Sequence, residues 1–332
     1  MSAAEQTLIL SIDQGATKTQ ALLADGRGHL LATGMSAGAC WPTSGMAYAM
    51  QAVLDAVREA ENHAGADLSR VGRVTAGMTG IDWPGDKETM RQALAGTLRM
   101  EAERINAMND CVMALRAGTS SAAGAILCAG TGLNCAVRNE AGEELVFGYY
   151  IHDDCQGGSA LGRRTVQAAI DMEIGLRPRT PLFQTVLSAM NCASADQLLK
   201  NWVENRLKQR AVCELSRAVD TAACAGDVAA MELLYRFGWD MAGYASAGLR
   251  RLGMSLQRAE VVLSGSVFKC QSSALVDGVR ERLRKGAPLA VLHQSRLEPV
   301  VGGILLALDA MKRSVPDTLE KDAEGLCLIR MK

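Results

Sequence analysis

Residues 7–25, TLILSIDQGATKTQALLAD, place a short polar turn between two apolar runs, and this pattern constrains the fold more than any other. Two short runs rich in Leu and Ile, joined by small residues, predict a β-hairpin. Because Gly15 and Thr17 shield the backbone little and Lys18 adds a cation, the turn can face a phosphate. Asp13 ends the first run, where a carboxylate can hold Mg²⁺ through water. The alternative is ordinary turn chemistry, in which Asp13 bonds to its own backbone.

Two familiar nucleotide-binding loops are absent from the sequence. No G-x-x-x-x-G-K-[ST] segment occurs, and Gly130-Thr131-Gly132 continues as Leu133-Asn134-Cys135 rather than as G-x-G-x-x-G. The sequence therefore excludes a P-loop and leaves a dinucleotide-binding Rossmann domain unsupported.

Length and charge narrow the class of protein. A chain of 332 residues can form about two domains, each with a sizeable core. With 35 Lys and Arg against 36 Asp and Glu, the net charge of −1 predicts neither a nucleic-acid partner nor an anionic membrane surface. No apolar run approaches the ~18–20 residues of a membrane span, and Glu5 before the first strand argues against a signal peptide. We expect a soluble, cytoplasmic protein.

The cysteines and histidines lack the spacing of a metal site. The chain has 10 cysteines without a C-x-x-C pair, and its 4 histidines are scattered. Solitary cysteines are typical of small buried side chains in a reducing compartment. We therefore expect neither zinc nor an iron–sulfur cluster.

Hydrophobic periodicity predicts strands first and helices later, in an order that partly repeats. The first part has strands over 7–13, 19–25, 29–35, 72–78 and 103–107, with helices over 45–63 and 86–98. The second has strands over 123–129, 133–138, 143–148, 259–264 and 288–293, interrupted by a helical region over 157–253. This order indicates α/β sheets with covering helices. We expect the polar residues from Ser314 onward to form a loosely held tail.

Two more small-residue turns occur at strand ends. Gly130-Thr131-Gly132 is a second candidate phosphate cradle, or an ordinary hairpin turn. Ser264-Gly265-Ser266 lets a flat ring approach the backbone, or places Ser264 or Ser266 as a helix N-cap.

The order of these motifs resembles the actin–hexokinase superfamily and, within it, the BadF-type ATPase/N-acetylglucosamine kinase family, which includes bacterial glucosamine kinases. The motifs span about residues 7–312 and are IDQGATKT (12–19), AGMTG (76–80), MNDCVMAL (108–115), CAGTGLNC (128–135) and VLSGSV (262–267). The resemblance implies an α/β fold of two actin-like (ribonuclease H-like) lobes, each with a mixed five-stranded sheet, around an ATP cleft. The implied lobes are 1–118 and 119–313, with a helical insertion over about 165–257 and a tail over 314–332.

The resemblance also implies roles for single residues. Asp13 would position Mg²⁺, and Asp110 would take the proton from the attacking sugar hydroxyl; the alternative for Asp110 is a helix N-cap. The residues expected to bind ATP are Gly15, Thr17 and Lys18 at the β- and γ-phosphates, Gly130, Thr131 and Gly132 at the phosphates, and Gly265 and Ser266 at the adenosine, with Gly302 and Gly303 supporting that wall.

The implied sugar pocket departs from the family pattern. The expected substrate-binding residues are Cys40, Trp41, Gly80, Asn134, Asp154 and Gln156. The Ala39-Cys40-Trp41 loop lacks the Asn usual in the family. One alignment of Asp153–Ser159 gives the family's Asp position to Asp154 and another gives it to Gln156; we prefer Asp154 because a carboxylate suits sugar hydroxyls or an ammonium better than an amide.

Several functions remain open. We favour an ATP- and Mg²⁺-dependent kinase that phosphorylates the 6-hydroxyl of N-acetylglucosamine or glucosamine and acts as a homodimer. The alternatives are a kinase of another sugar or sugar acid, a BadF-type activator ATPase of an acyl-CoA dehydratase or reductase, and a non-catalytic sugar sensor.

Overall fold

A computed structural model of the protein describes residues 7–329. It contains two five-stranded sheets, with strand orders β3-β2-β1-β4-β5 and β10-β9-β6-β7-β8. The strands are β1 (Leu8–Gln14), β2 (Lys18–Asp25), β3 (Leu30–Ala37), β4 (Val71–Met78), β5 (Ile105–Met108), β6 (Gly124–Ala129), β7 (Leu133–Arg138), β8 (Glu144–Val146), β9 (Glu260–Ser264) and β10 (Val291–Gln294). The α/β fold with two five-stranded sheets is therefore as predicted.

Helices follow the strands in both halves of the chain. They are α1 (Trp41–Ser44), α2 (Met46–Ala64), α3 (Asp86–Leu98), α4 (Asp110–Gly118), α5 (Gly157–Glu173), α6 (Leu182–Ala189), α7 (Ala195–Val203), α8 (Gln209–Cys224), α9 (Val228–Arg251), α10 (Ala274–Gly286), α11 (Pro299–Ala310) and α12 (Leu319–Gly325). The predicted helix over 86–98 is confirmed, and the predicted helical region over 157–253 contains α5 to α9. No helix within residues 7–329 is both long and apolar enough to cross a membrane.

Contacts divide the described chain into two compact units. Unit 1 comprises 7–126, Val137–Val146 and 293–329; unit 2 comprises Leu127–Ala136 and Phe147–Leu292. The lobe boundary near residue 118 stays a prediction.

The first sheet takes its topology from the predicted hairpin. Strand β1 pairs antiparallel with β2 and parallel with β4, and β4 pairs parallel with β5. All seven residues of β1 are buried because helices cover both faces of this central strand. Since side chains alternate along a strand, Leu8, Leu10 and Ile12 join a core with α2 and α3, whereas Ile9 joins a core with α11. This alternation places Asp13 on the α11 side and Gln14 on the α2 side.

The expectation of a loosely held tail is wrong. Within residues 315–329, Leu319–Gly325 form α12, and Leu319, Ala323 and Leu328 are buried in the core beneath β1 and α11. The backbone N–H of Glu298 also donates to the carbonyl of Leu328. The segment looks polar because only one of its faces is apolar, and a short amphipathic helix gives a weak sequence signal.

The glycine pair of α11 lies in a tight packing contact. A side chain on Gly302 would meet the carbonyl oxygen of Met113 at 2.1 Å, and one on Gly303 would meet Ser11 Oγ at 2.0 Å. These glycines therefore allow α11 to pack closely against α4 and β1. The contacts support a packing role, and the expected support of an adenosine wall stays a prediction.

All ten cysteines are free thiols. Cys111, Cys135, Cys155 and Cys192 are buried, while Cys224 and Cys327 are exposed. Among the described residues, no group of three or more His, Cys, Asp or Glu side chains is arranged to hold a metal ion.

Candidate active site

In unit 1, the hairpin turn between β1 and β2 is tight and partly exposed. The N–H of Gly15 donates to the carbonyl of Lys18 at 2.9 Å, and Ala16 and Thr17 at the tip are exposed. Lys18 turns its ammonium toward Glu298 Oε2 at 2.9 Å and Gln20 Oε1 at 3.1 Å. The exposed tip leaves its backbone accessible to a ligand, whereas Lys18 is held beside the start of α11.

Asp13 lies at the end of β1, beside Gln20 of β2 and Gly77 of β4 in the sheet register. Only 7% of the residue is exposed. A carboxylate at the end of a central strand, next to a tight turn, is a reasonable ligand for a hard cation.

Asp110 is the first residue of α4 and has both carboxylate oxygens engaged. Its Oδ2 accepts a hydrogen bond from Thr79 Oγ1 at 2.5 Å, and its Oδ1 accepts one from the N–H of Cys111 at 2.9 Å. Burial raises the pKa of Asp110, and these hydrogen bonds oppose the rise. The helix N-cap is Asn109, whose side chain accepts from the N–H of Cys111. Since Asn109 already caps the helix, the capping alternative does not account for Asp110.

Thr79 joins Asp110 to the β1–β2 hairpin. Its N–H donates to the carbonyl of Gln14, the last residue of β1, at 2.9 Å, while its hydroxyl reaches Asp110. One residue therefore links the end of β1 to the first turn of α4.

A second carboxylate lies close to Asp110. Asp82 Oδ1 accepts a hydrogen bond from Asn109 Nδ2 at 3.1 Å. Burial first, and then the charges of Asp110 and Asp86, raise the pKa of Asp82 to about 6. Sequence reasoning missed Asp82 because Ile81-Asp82-Trp83-Pro84-Gly85 reads as a turn. The sequence signal that could have identified Asp82 is a carboxylate two residues after Gly80, the last residue of the AGMTG motif.

The Trp41 loop packs against the end of β4. Trp41 Nε1 donates to the carbonyl of Gly80 at 2.9 Å. The carbonyl of Cys40 accepts from the N–H groups of Thr43 and Ser44 and so begins the short helix α1. The loop that carries Cys40 and Trp41 is therefore in contact with Gly80, and both segments belong to unit 1.

In unit 2, the Gly130–Gly132 loop rests on the start of α5. The carbonyls of Gly130 and Thr131 accept from the N–H groups of Gly158 and Ser159 at 2.8 and 3.1 Å. Gly157 has a φ of +52°, and a side chain there would meet the carbonyl oxygen of Gly132 at 2.2 Å. Only glycine permits this contact.

The Gly265-Ser266 turn meets the residue just before that loop. Gly265 has a φ of +102°, and a side chain on it would lie 2.3 Å from the carbonyl oxygen of Ala129. Ser266 then opens a short 3-10 helix, Ser266–Lys269, and is exposed. Three predicted segments, two of them glycine turns, therefore come together within unit 2: Gly130–Gly132, Gln156–Ser159 and Gly265-Ser266.

Gln156 and Asp154 have different surroundings. Gln156 Oε1 accepts from the N–H of Leu133 at 3.1 Å, and its Nε2 donates to the carbonyl of Ile151 at 3.2 Å. Asp154 lies away from these contacts: 74% of its side chain is exposed, and Arg164 Nη2 is 3.5 Å from its Oδ2. Together with Trp239 and Tyr244, Asp154 lines a separate cavity of about 790 Å³.

Asn134 supports the same region from β7. Its Oδ1 accepts from the N–H of Gly148 at 3.0 Å and from that of Cys135 at 2.8 Å. These bonds hold the segment after β8 against β7.

The residues present fit a magnesium–nucleotide. A side chain on Gly130 would meet no atom within 4 Å, so the backbone there faces open space. Thr131 and Gly132 are exposed beside it. Unshielded loop backbone suits phosphate oxygens, and the Asp13 carboxylate suits Mg²⁺.

Comparison with known proteins identifies the family of this chain. Residues 10–307 match the model of the BadF/BadG/BcrA/BcrD ATPase family. The chain belongs to this family. Because the match extends over both units, the family assignment covers all the site residues described above.

Relatives and solved structures extend the comparison. The chain is 22% identical over 245 residues to the N-acetylmuramic acid/N-acetylglucosamine kinase of Clostridium acetobutylicum, covering 73% of this chain and 79% of that protein. It is 22% identical over 322 residues to the N-acetyl-D-glucosamine kinase of Dictyostelium discoideum, covering 92% of this chain and 99% of that one. The crystal structure of a candidate N-acetylglucosamine kinase from Chromobacterium violaceum has a TM-score of 0.63 at 23% identity, covering 91% and 99% of the two chains. This structural likeness shows a shared fold.

Proposed function

We propose that the protein is an ATP-dependent kinase of an amino sugar, N-acetylglucosamine or glucosamine, and that it phosphorylates the 6-hydroxyl with Asp110 as general base. The observation that carries this proposal is the desolvated carboxylate of Asp110, held by Thr79 and Cys111 next to the end of β1. The kinase relatives support the substrate class.

Phosphoryl transfer needs little covalent chemistry from the protein, because positioning and charge neutralisation supply most of the catalysis. Asp110 would accept the proton of the sugar hydroxyl as that oxygen bonds to the γ-phosphorus. The bond from the γ-phosphorus to the β–γ bridging oxygen breaks in the same step, and ADP leaves. Its raised pKa favours proton uptake, since a carboxylate in a desolvated position is a stronger base than one in water. The hydrogen bond from Thr79 fixes the orientation of the Asp110 carboxylate.

Each unit contains groups that we propose bind the phosphates. In unit 1 these are Gly15, Thr17 and Lys18, with Asp13 holding Mg²⁺. In unit 2 they are Gly130, Thr131 and Gly132, with Gly265 and Ser266 at the adenosine. Bound Mg²⁺ would neutralise negative charge on the transferring phosphate.

Lys18 needs one adjustment for its proposed role. Its ammonium is ion-paired with Glu298, and 41% of the Lys18 side chain is exposed. A partly exposed pair of this kind contributes at most about 1 kcal/mol, so a phosphate can replace Glu298 as the partner. We propose that Lys18 exchanges partners when ATP binds.

In unit 1, Trp41 and Gly80 are the proposed sugar contacts. In unit 2, the proposed contacts lie in the Gln156 region. Gln156 adjoins Gly132, since a side chain on Gly132 would lie 3.4 Å from Gln156 Oε1. Asp154 lines a different cavity. These contacts favour the alignment that gives the family position to Gln156 over the one, preferred on chemical grounds, that gives it to Asp154.

A coupled assay of ADP release over hexosamines, hexoses and sugar acids, with Mg²⁺ present, tests the proposal. We expect turnover with N-acetylglucosamine or glucosamine, and phosphorus–proton NMR of the product should show phosphate on the 6-oxygen. No turnover with any sugar would overturn the kinase proposal, and turnover with a hexose or a sugar acid alone would overturn the substrate class.

The role of Asp110 needs its own variant. Asp110→Asn should abolish transfer while ATP affinity, measured by calorimetry, stays within about twofold of the original. Glu88→Gln is the matched control, because Glu88 carries the same charge on exposed helix α3 and bonds only to Arg91 and Gln92 in the structure. Retained turnover in Asp110→Asn would remove Asp110 as the base.

The same protein preparation tests the homodimer that the sequence resemblance implies. Light scattering after gel filtration gives its mass directly. A mass of about twice 35.2 kDa is expected.

A further inference from the structure

The side chain of Asn109 joins Asp82 to the first turn of α4. Asn109 Nδ2 donates to the carbonyl of Ile81 and to Asp82 Oδ1, both at 3.1 Å. Its Oδ1 accepts from the N–H of Cys111 at 3.0 Å. Asn109 is 1% exposed, so water does not compete with these bonds. A single carboxamide therefore fixes Asp82 relative to the residue that follows Asn109, which is Asp110.

The turn that carries Asp82 is itself held in place. Asp86 Oδ2, in the first turn of α3, accepts from the N–H of Asp82 at 3.0 Å and from that of Trp83 at 2.7 Å. The backbone on which Asp82 sits is thereby anchored to a helix. Its carboxylate cannot move far from Asn109 without breaking these contacts.

A negative charge on Asp82 is energetically unfavourable in this environment. Burial, the charge of Asp110 at the start of α4 and the charge of Asp86 at the start of α3 all raise its pKa, to about 6. Because the repulsion between two negative charges is mutual, each carboxylate makes the other more basic. A hydrogen-bond acceptor for Asn109 alone would not need this charge.

We propose that Asp82 is a positioning residue for Asp110, orienting the first turn of α4 through Asn109 and strengthening Asp110 as a base through its own negative charge. The inference rests on the proposed kinase function. It gives Asp82 two separable contributions, one from an oxygen that accepts a hydrogen bond and one from a charge.

Asp82→Asn separates them, because an amide oxygen still accepts from Asn109 while the charge is gone. We expect the acidic limb of kcat/KM for the sugar, at saturating Mg-ATP, to move to lower pH. We also expect kcat to fall roughly 3- to 10-fold at about pH 8, with KM for ATP unchanged, because Asp110 becomes a weaker base. Glu88→Gln, which removes one charge from exposed α3, should change neither quantity.

Asp82→Ala removes the acceptor as well as the charge. We expect a further loss of at least about tenfold in kcat, because Asn109 and the first turn of α4 lose an anchor. If Asp82→Asn keeps the original acidic limb and the original kcat, the inference is wrong. If Asp82→Asn and Asp82→Ala have the same kcat, the hydrogen bond from Asn109 to Asp82 does not contribute to positioning Asp110.

A measurement without turnover keeps the inference testable if a variant is inactive. Carboxyl-carbon NMR titration of the free protein should show Asp82 titrating near pH 6, and Asp110→Asn should lower that midpoint. An unchanged midpoint would overturn the coupling even if the enzyme is a kinase. Conversely, a kinase that is fully active as Asp110→Asn would overturn the proposed base while leaving the measured coupling intact.

Discussion

Thr79 Oγ1 donates a hydrogen bond to Asp110 Oδ2 at 2.5 Å, while the N–H of Thr79 bonds to the carbonyl of Gln14. The residue that follows β4 thus connects the end of the central strand to the candidate base. The two partners are 31 residues apart in sequence, and the parallel pairing of β4 with β5, which sets Gly77 beside Met108, brings them together.

Removing this hydroxyl should weaken catalysis and shift its pH dependence. Thr79→Val keeps the side-chain volume and loses the bond to a charged oxygen, a contribution of about 1.5–3 kcal/mol, so kcat should fall roughly 10- to 100-fold. Because the bond lowers the pKa of Asp110, its loss should raise that pKa and move the acidic limb of kcat/KM to higher pH. Thr79→Ser should restore both. A limb that stays in place in Thr79→Val would contradict this role.

Asp82 should lower stability at neutral pH. Its folded-state pKa is raised from 3.8 to about 6, so its contribution is most favourable below 3.8 and is lost as pH rises through about 6. The full shift corresponds to about 3 kcal/mol, and partial exposure reduces this to roughly 1 kcal/mol. Asp82→Asn should therefore unfold at a higher urea concentration than the original protein at about pH 8, and show no advantage at about pH 4. An equal gain at both pH values would indicate an effect unrelated to ionisation.

Gly265 should not tolerate a side chain. In Gly265→Ala the methyl group would meet the carbonyl of Ala129 at 2.3 Å, in addition to the strain of a φ of +102°. We expect ATP affinity, measured by calorimetry on the folded variant, to fall at least about tenfold. Gly226→Ala is the matched control, since Gly226 has a φ of +87° with no atom within 4 Å of the added carbon. Equal losses in the two variants would attribute the effect to strain alone.

Gln156 and Asp154 should differ in their effects on the active site. Gln156→Ala removes the acceptor of the Leu133 N–H, which holds the end of the Gly130–Gly132 loop. We expect KM for both ATP and the sugar to rise by about tenfold, because this loop is no longer held in position. Asp154→Ala removes only an exposed pairing with Arg164 and should leave both KM values within about twofold. A large rise in sugar KM from Asp154→Ala alone would favour the other alignment of this segment.

Gly302 should act on stability rather than on nucleotide binding. Gly302→Ala would bring a methyl group to 2.1 Å from the carbonyl of Met113, and we expect a loss of about 2–4 kcal/mol in the free energy of unfolding. Gly96→Ala, in exposed space on α3, should instead stabilise the protein by up to about 1 kcal/mol. If Gly302→Ala has a normal unfolding midpoint but binds ATP more weakly, the result would support the predicted role of Gly302 at the adenosine.

Local sequence determined a large part of this fold. The hairpin over residues 7–25, the helix over 86–98 and the glycine turns at Gly130 and Gly265 follow from periodicity and turn chemistry, which act over a few neighbouring residues. The candidate roles of Asp13 and Asp110 came from motif order, because carboxylates at strand and helix ends recur in many folds. The family match then agreed with that order.

Only the tertiary structure decided which residues surround Asp110 and which helices cover β1. Asp82 reaches Asn109 across 27 residues, and a carboxylate in a turn has the same local pattern whether or not it faces another charge. The choice between Asp154 and Gln156 likewise depends on where the start of α5 meets Gly130–Gly132. The hairpin alone places Asp13 and a phosphate-sized turn together, but burial, long-range hydrogen bonds and charge coupling arise only when distant segments pack, so they carry no signal in a short window of sequence.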